Sequence, residues 1–431
     1  MPTIAPALAA PSSASSGSPT VSTAPTVSTA SKAPTAAAAA ALPKGPAAPA
    51  GGIEPQPAAG PGGLEGIVVA DTLLSDVDGE RGRLVVRGHD VEDLTGRCDF
   101  EAMCALLWTG ELPAAGEAKH AALRAALGQA RLRAWQRLPS LGDALAADDA
   151  MEALRAALAH WRCPATMDAA TARLDLSAAM AVFAAAWARR HHGEPPLRPD
   201  ATLGHAADFL RMAASGSADP FAAARAAALD AYLVTAADHG MNASTFTARV
   251  VASTQSDAVS AVVAALGALK GPLHGGAPGP VLAMLDAIGE PANAAPWIAK
   301  RLAAGERIMG MGHRVYRVRD PRAAVLEAAV ERLQAAGVAS PRLALARAVE
   351  AVATASLREH RPERRMAANV EFYTAVILDA VGLPHELFTA TFAVARVAGW
   401  LAHYDEQRAH GRLIRPASRY VGALPPGPQA A

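Results

Sequence analysis

From Val91 onward the chain reads as long Ala, Leu, Arg and Glu runs broken by Gly and Pro, with few β-branched clusters. Such residues lose little side-chain freedom in a helix, whereas strands favour branched and aromatic side chains. No strand alternates with these helical runs, which disfavours a doubly wound or barrel fold. No fixed period points to a solenoid. The sequence therefore predicts an all-α protein. Only 4% of its 431 residues are aromatic, so Ala, Leu and Val must fill the core. The one β signal is SDVDGERGRLVVRG, residues 75–88, where an Asp-Gly turn precedes the β-prone Leu84-Val85-Val86. It predicts one small hairpin.

The texture changes sharply near residue 62. Residues 1–62 are almost wholly Ala, Pro, Ser, Thr and Gly, with Lys32, Lys44 and Glu54 as their charged side chains. A segment of this kind buries too little apolar surface to offset its ordering entropy, so a disordered tail is expected. It has no arginine, unlike a mitochondrial targeting peptide, and no basic stretch leads into an apolar one as in a secretory signal. Over the whole chain 40 Lys and Arg balance 40 Asp and Glu. That balance argues against a nucleic-acid binder and requires any anionic ligand to be held by local arginines. Cys98, Cys104 and Cys163 are odd in number and lack CxxC spacing, which argues against a disulfide framework or a zinc site. The longest uncharged apolar run, Leu176 to Ala188, falls short of the roughly 18 residues of a membrane span. A cytoplasmic protein without a membrane segment is expected.

Four segments interrupt the helices with polar groups. In TAADHGMNASTFTARV, residues 235–250, Asp238, His239, Asn242, Ser244 and Thr245 cluster where a buried helix would be apolar. Asn or Ser capping of a helix accounts for part of this. In KGPLHGGAPGP, residues 270–280, His274 sits among glycines that let a backbone approach a ligand or make a turn. Neither GxGxxG nor a P-loop ending is present, so a nucleotide-phosphate cradle is unsupported. In IMGMGHRVYRVRDPRA, residues 308–323, His313 follows two glycines, and Arg314, Arg317, Arg319 and Arg322 follow with one Asp among them. Unpaired guanidiniums suit carboxylates or phosphates, and a solvated basic loop is the alternative. Last, Asn369 can cap a helix that starts at Val370 and carries Glu371 in its first turn, with Gly382 and Pro384 ending it. Arg396 follows in the apolar run TFAVARVAGWLAH and needs an anionic partner, either a structural carboxylate or a bound substrate. Arg415-Pro416 stands in a non-helical tail. His191-His192 matches no zinc spacing and is read as a solvated loop.

In this order the segments resemble the citrate synthase family: DHxxNAST, GPLHGG, GxGHRVY…DPRA, an Asn-Val-acid segment, FxxxRxxGWxAH and an Arg-Pro tail, over roughly residues 63–423. The resemblance implies an all-α homodimer that condenses oxaloacetate with acetyl-CoA to citrate and free CoA, with no metal and no resident cofactor. It implies a large domain of residues 63–274 and 377–431 and a small domain of residues 275–376. By motif, His274, His313 and Glu371 would be catalytic. His239, Arg322 and Arg396 would bind oxaloacetate, together with Arg415 supplied by the neighbouring subunit. Arg314, Arg317 and Arg319 are candidates for contact with CoA.

The residue types suit that chemistry. A dicarboxylic keto acid needs several cationic donors. Removing a proton from a thioester methyl group needs a carboxylate base and a donor for the enolate oxygen. Two positions depart from the family pattern. Glu371 stands where the family usually has aspartate, which lengthens the base by one methylene. Gly240 stands where many members carry Glu. A 2-methylcitrate synthase using propionyl-CoA, or a weakly active member that binds CoA or a metabolite, are the competing readings.

Overall fold

The structure, a computed structural model, describes residues 63–64, 66–164, 166–214, 219–275, 278–313, 315–360 and 366–423. The tail expected to be disordered, residues 1–62, lies outside them, as does Arg314.

The expected hairpin is present. Strands β1 (Ser75–Asp78) and β2 (Arg83–Val86) pair antiparallel, with Ser75 opposite Val86 and Asp78 opposite Arg83. A two-residue strand not anticipated from sequence, β3 (His89–Asp90), pairs with the other edge of β2. Leu84 and Val86 enter the core at alternate positions, while Arg83 bonds Asp90 on the outside.

The rest is helical, as the composition predicted. The helices are α1 (Val91–Leu94), α2 (Phe100–Thr109), α3 (Ala118–Arg137), α4 (Ala150–Ala159), α5 (Ala169–His191), α6 (His205–Ala213), α7 (Ala222–Ala236) and α8 (Ala243–Ser253). There follow α9 (Ala258–Lys270), α10 (Pro278–Ile288), α11 (Ala294–Ala303), α12 (Pro321–Ala335), α13 (Pro341–His360), α14 (Val370–Ala380) and α15 (Phe388–His410). Short polar side chains set their starts. Asp99, Asp149, Asp168, Asn242, Asp257, Asp320 and Asn369 each accept a first-turn backbone N–H, at about 1 kcal/mol apiece.

Helix α5 is long and apolar enough to cross a membrane by length and composition alone, but 67% of that window is buried within the protein. It packs on α3, α4, α6 and α15 and is a core helix. His191 closes α5 and stacks on Trp187 at 4.8 Å, so it is helical rather than part of a loop. The three cysteines are free thiols. Helix α15 runs among α5, α7, α8 and α9, with Trp400 fully buried. Gly399 on α15 admits the carbonyl of Ala237, into which any Cβ there would collide. That close approach sets residues 237–239 directly against α15. Among the later helices, α12 and α10 pack on α14, and α11 packs on α13.

Candidate active site

Each polar segment becomes a helix end or a short loop, and the loops converge. Asn242 caps α8 and accepts from the N–H groups of Ser244 and Thr245, both at 3.1 Å. Just before it, Gly240 has φ +58° and donates its N–H to Ser75 Oγ at 2.9 Å. A left-handed backbone at that position favours glycine. Ser75 in turn donates to buried Asp238. The tip of the hairpin reaches the opposite wall, where Gly79 O accepts from Arg317 N at 2.9 Å. The small sheet therefore tethers two of the polar segments.

The 308–320 loop is tied to the start of α14. Asn369 Nδ2 donates to Gly312 O at 3.0 Å, and Gly312 N donates to Ala367 O at 2.8 Å. His313 Nδ1 accepts from the N–H groups of Val315 and Tyr316, both at 3.0 Å. Two donors on Nδ1 place the ring proton on Nε2. Burial and then Arg322 hold this imidazole down to about 4, so it is neutral near pH 7. Its ring lies 5.7 Å from that of His239, whose Nε2 meets Tyr316 Oη at 3.0 Å. Burial, reinforced by Arg322 and Arg396, keeps His239 neutral as well.

His274 stands in the turn after α9. Its Nε2 lies 2.8 Å from Ser244 Oγ and accepts from Ser244 N at 3.3 Å, while Trp400 Nε1 donates to the same hydroxyl at 3.0 Å. A protonated Nε2 would face the Ser244 N–H donor to donor, so this arrangement favours the proton on Nδ1. Burial and then Arg396 hold His274 down to about 4. Both imidazoles thus keep one N–H donor outside these bonds.

The charged residues are buried beside them. Arg322 opens α12 and donates Nε and Nη2 to Asp320 at 3.0 and 2.7 Å. Burial works against its charge, but Asp320 and Tyr316 outweigh it and raise its pKa. Arg396 donates Nε to Ala236 O at 2.6 Å and lies over Phe392 at 4.9 Å, and its buried Nη2 has no hydrogen-bond partner in the protein. Burial lowers its pKa to about 10, with Asp238 opposing and Arg322 adding to the fall. Asp238 is itself kept ionised. Burial disfavours its charge, but His403, Arg396 and the Ser75 hydroxyl more than offset that. Glu371, in the first turn of α14, has its pKa raised by burial against the pull of Arg322 and Arg396, and its buried Oε2 is unpartnered. A cavity of about 10 Å³, near the size of one water molecule, is lined by Glu371, Arg322, Tyr232, Thr374 and Phe392.

His239, His274, His313 and Glu371 thus each lie within electrostatic reach of Arg322, Arg396 or both. The other arginines do not join them. Arg317 is exposed with Glu80 at 3.9 Å. Arg319 is bound by Glu350 and Glu327 and lies over Tyr373, so its charge is already answered inside the protein. Arg415 is exposed in the extended tail after α15. Tyr316, Trp400 and His403 sat unremarked within segments already singled out, whereas nothing in the sequence marked Ser75. Among the described residues, no three His, Cys, Asp or Glu side chains gather as a metal site.

Neutral imidazoles on a turn and loops, a carboxyl in the first turn of α14 and guanidiniums on α12 and within α15 make a buried set whose chemistry suits acyl transfer, on a helical fold. The comparisons agree. Residues 63–417 match the model of the citrate synthase C-terminal domain. A putative citrate synthase 2 of Mycobacterium tuberculosis is 39% identical over 374 residues, covering 85% of this chain and 94% of that one. A 2-methylcitrate synthase of the same organism is 38% identical, covering 84% and 90%. The structure of Thermoplasma acidophilum citrate synthase in a ternary complex with carboxymethyl coenzyme A and oxaloacetate aligns at TM-score 0.74 and 28% identity, covering 84% and 96%. The chain belongs to the citrate synthase family and is an acyltransferase.

Proposed function

We propose that this protein condenses oxaloacetate with acetyl-CoA. Glu371 takes a proton from the thioester methyl group while His274 Nδ1–H donates to the forming enolate oxygen. His313 Nε2–H polarises the ketone carbonyl of oxaloacetate. The enol carbon attacks that carbonyl to form citryl-CoA, and water cleaves the thioester to citrate and free CoA. Arg322, Arg396 and His239 hold the dicarboxylate, joined by Arg415 of the partner subunit in a homodimer. The CoA phosphates are assigned to Arg314 and Arg317. Arg319, paired twice over, is the least suited of the three. Catalysis uses no metal, and the protein works in the cytoplasm.

The observation that carries this reading is the buried Glu371 carboxyl, its Oε2 unpartnered, which shares Arg396 and Arg322 as charged neighbours with two neutral imidazoles, His274 and His313, that still own a donor. A carboxyl with a raised pKa is a stronger base, and neutral donors can stabilise an enolate without surrendering a full proton to it. The cavity at Glu371 admits about one water, so oxaloacetate enters by movement of the small domain, residues 275–376, against the rest. Steady-state release of CoA from acetyl-CoA should require oxaloacetate and survive thorough chelation. Strict dependence on a divalent ion overturns the mechanism. The 2-methylcitrate reading is favoured by one fact, the near-equal identity to relatives of both names. A parallel assay with propionyl-CoA separates the two readings. Turnover with neither acyl-CoA would favour a member that only binds CoA.

A further inference from the structure

Behind the site lies a chain of buried polar groups that the chemistry does not use. His403 Nε2 lies 3.2 Å from Asp238 Oδ1. On its other side His403 Nδ1 accepts from Arg249 Nη1 at 2.9 Å, which fixes the ring proton on the nitrogen facing Asp238. Arg249 also donates to Glu406 Oε2 at 2.7 Å and, through Nε, to Gln407 Oε1 at 3.0 Å. Gln407 has one job left. Its Nε2 donates to the carbonyl of Arg412 at 2.9 Å, in the tail beyond α15.

That tail is held at alternate residues. Arg412 is fixed through its carbonyl, and Ile414 donates its N–H to Ser253 Oγ at 3.1 Å. Ile414 is half-buried there, while Arg412, Leu413 and Arg415 around it are exposed. Pro416 confines Arg415 to extended backbone. Gly411 lies so close to the Gln407 amide that any Cβ there would overlap it. Its φ of −84° needs no glycine, so the demand is for space and not for conformation.

We propose that Gln407 and Gly411 are positioning residues. Gln407 couples the buried Asp238–His403–Arg249 chain to the tail, and Gly411 lets the tail lie close enough for that bond, so that Arg415 is presented outward in one fixed register. This rests on the reading that Arg415 serves oxaloacetate in the neighbouring subunit. The effect of losing either residue therefore falls on the binding of oxaloacetate and not on the chemical step.

Gln407→Glu is the test substitution. A carboxylate keeps, as an ion pair, the contact with Arg249, yet turns the donor facing Arg412 O into an acceptor that repels it. Gly411→Ala attacks the same contact from the tail side, by pressing a methyl group on the Gln407 amide. In the full-length enzyme each should raise the KM for oxaloacetate about fivefold with kcat within about twofold. Hydrogen exchange at Ile414 should quicken. Combining either with Arg415→Ala should raise KM no further than Arg415→Ala alone, because both act through the same contact. If Arg415→Ala raises KM while Gln407→Glu and Gly411→Ala leave it unchanged, the positioning role is wrong and the reading of Arg415 stands. If Arg415→Ala itself leaves KM unchanged, that reading fails and this proposal falls with it. Additive effects in the double variants would also overturn it.

Discussion

Two arginines lie almost fully buried, linked through His403 and Asp238, and their surroundings differ completely. Arg249 on α8 is answered by Gln407, His403 and Glu406. Arg396 on α15 has a backbone carbonyl, the face of Phe392 and an Nη2 without a protein partner. Taking a guanidinium out of water costs several kcal/mol unless its surroundings replace the lost hydration. Arg249 recovers that cost within the fold. Arg396 does not, and its pKa falls to about 10 as a result. In this pair the answered charge belongs to the architecture, and the unanswered one is the charge proposed to meet a ligand.

The sharpest extension of the comparison is Glu371, the unanswered anion of the same site. Glu371→Gln should lower kcat about 10³-fold with little change in oxaloacetate affinity, since the base is lost and the cationic contacts remain. The same substitution should raise the thermal midpoint at neutral pH. A carboxyl whose pKa is raised on folding contributes stability below its unfolded pKa and loses that contribution as pH rises through its folded value. Near-normal turnover in the Gln variant would show that Glu371 is not the base. Glu371→Asp should also lose activity, because a carboxylate withdrawn by roughly 1 Å is misplaced by an amount that matters. A strong gain with Asp would instead mark the native Glu as a detuned base.

The two arginines should then part company. Arg396→Met should lower kcat/KM about 10²-fold in steady-state assay while melting is nearly unchanged. Arg249→Met should do the reverse, costing about 3 kcal/mol in denaturant unfolding because Glu406 and His403 lose their partner. Equal losses of stability in both variants would break the comparison.

A pH–rate profile tests the neutral imidazoles. His274 and His313 titrate near 4, so neither limits the rate around neutrality. The acid limb of kcat should belong to Glu371, with the rate rising as pH passes through its raised pKa, and should be the feature that Glu371→Asp moves. A limb near 6.5 that ignores position 371 would show that one of the histidines titrates in the working range. The smallest effect is expected from deleting residues 1–62, whose Ala, Pro, Ser and Thr content offers nothing to bury. Turnover and melting temperature should both be retained, and a large loss of either would show that the segment docks on the folded body.

Local chemistry was the legible part of the sequence. Asn242 and Asn369 announced their helices, and the Asp-Gly turn announced the hairpin, because a cap or a turn depends on neighbours a few residues away. The four arginines after His313 were legible as a group but not one by one. Asp320 answers Arg322 from two residues away, whereas Arg319 is answered by Glu350 from another helix. Proximity in space cannot be read from spacing in sequence. Gly240 looked like an unexplained departure until its φ of +58° and its bond to Ser75 gave it a reason. Ser75 itself carried no signal, since its meaning lies entirely in what the fold sets beside it.

That remoteness has a kinetic consequence. Ser75 meets Asp238 from 163 residues away, Asp238 meets His403 across 165, and the hairpin tip at Gly79 meets Arg317 across the middle of the chain. Contacts of such range require large loops to close before they return any stabilisation, so they form late in folding. Helices such as α5, built on local bonds, form early. In a refolding experiment far-ultraviolet circular dichroism should recover well before enzyme activity, and the lag between them should be a property of the small β hairpin finding its place.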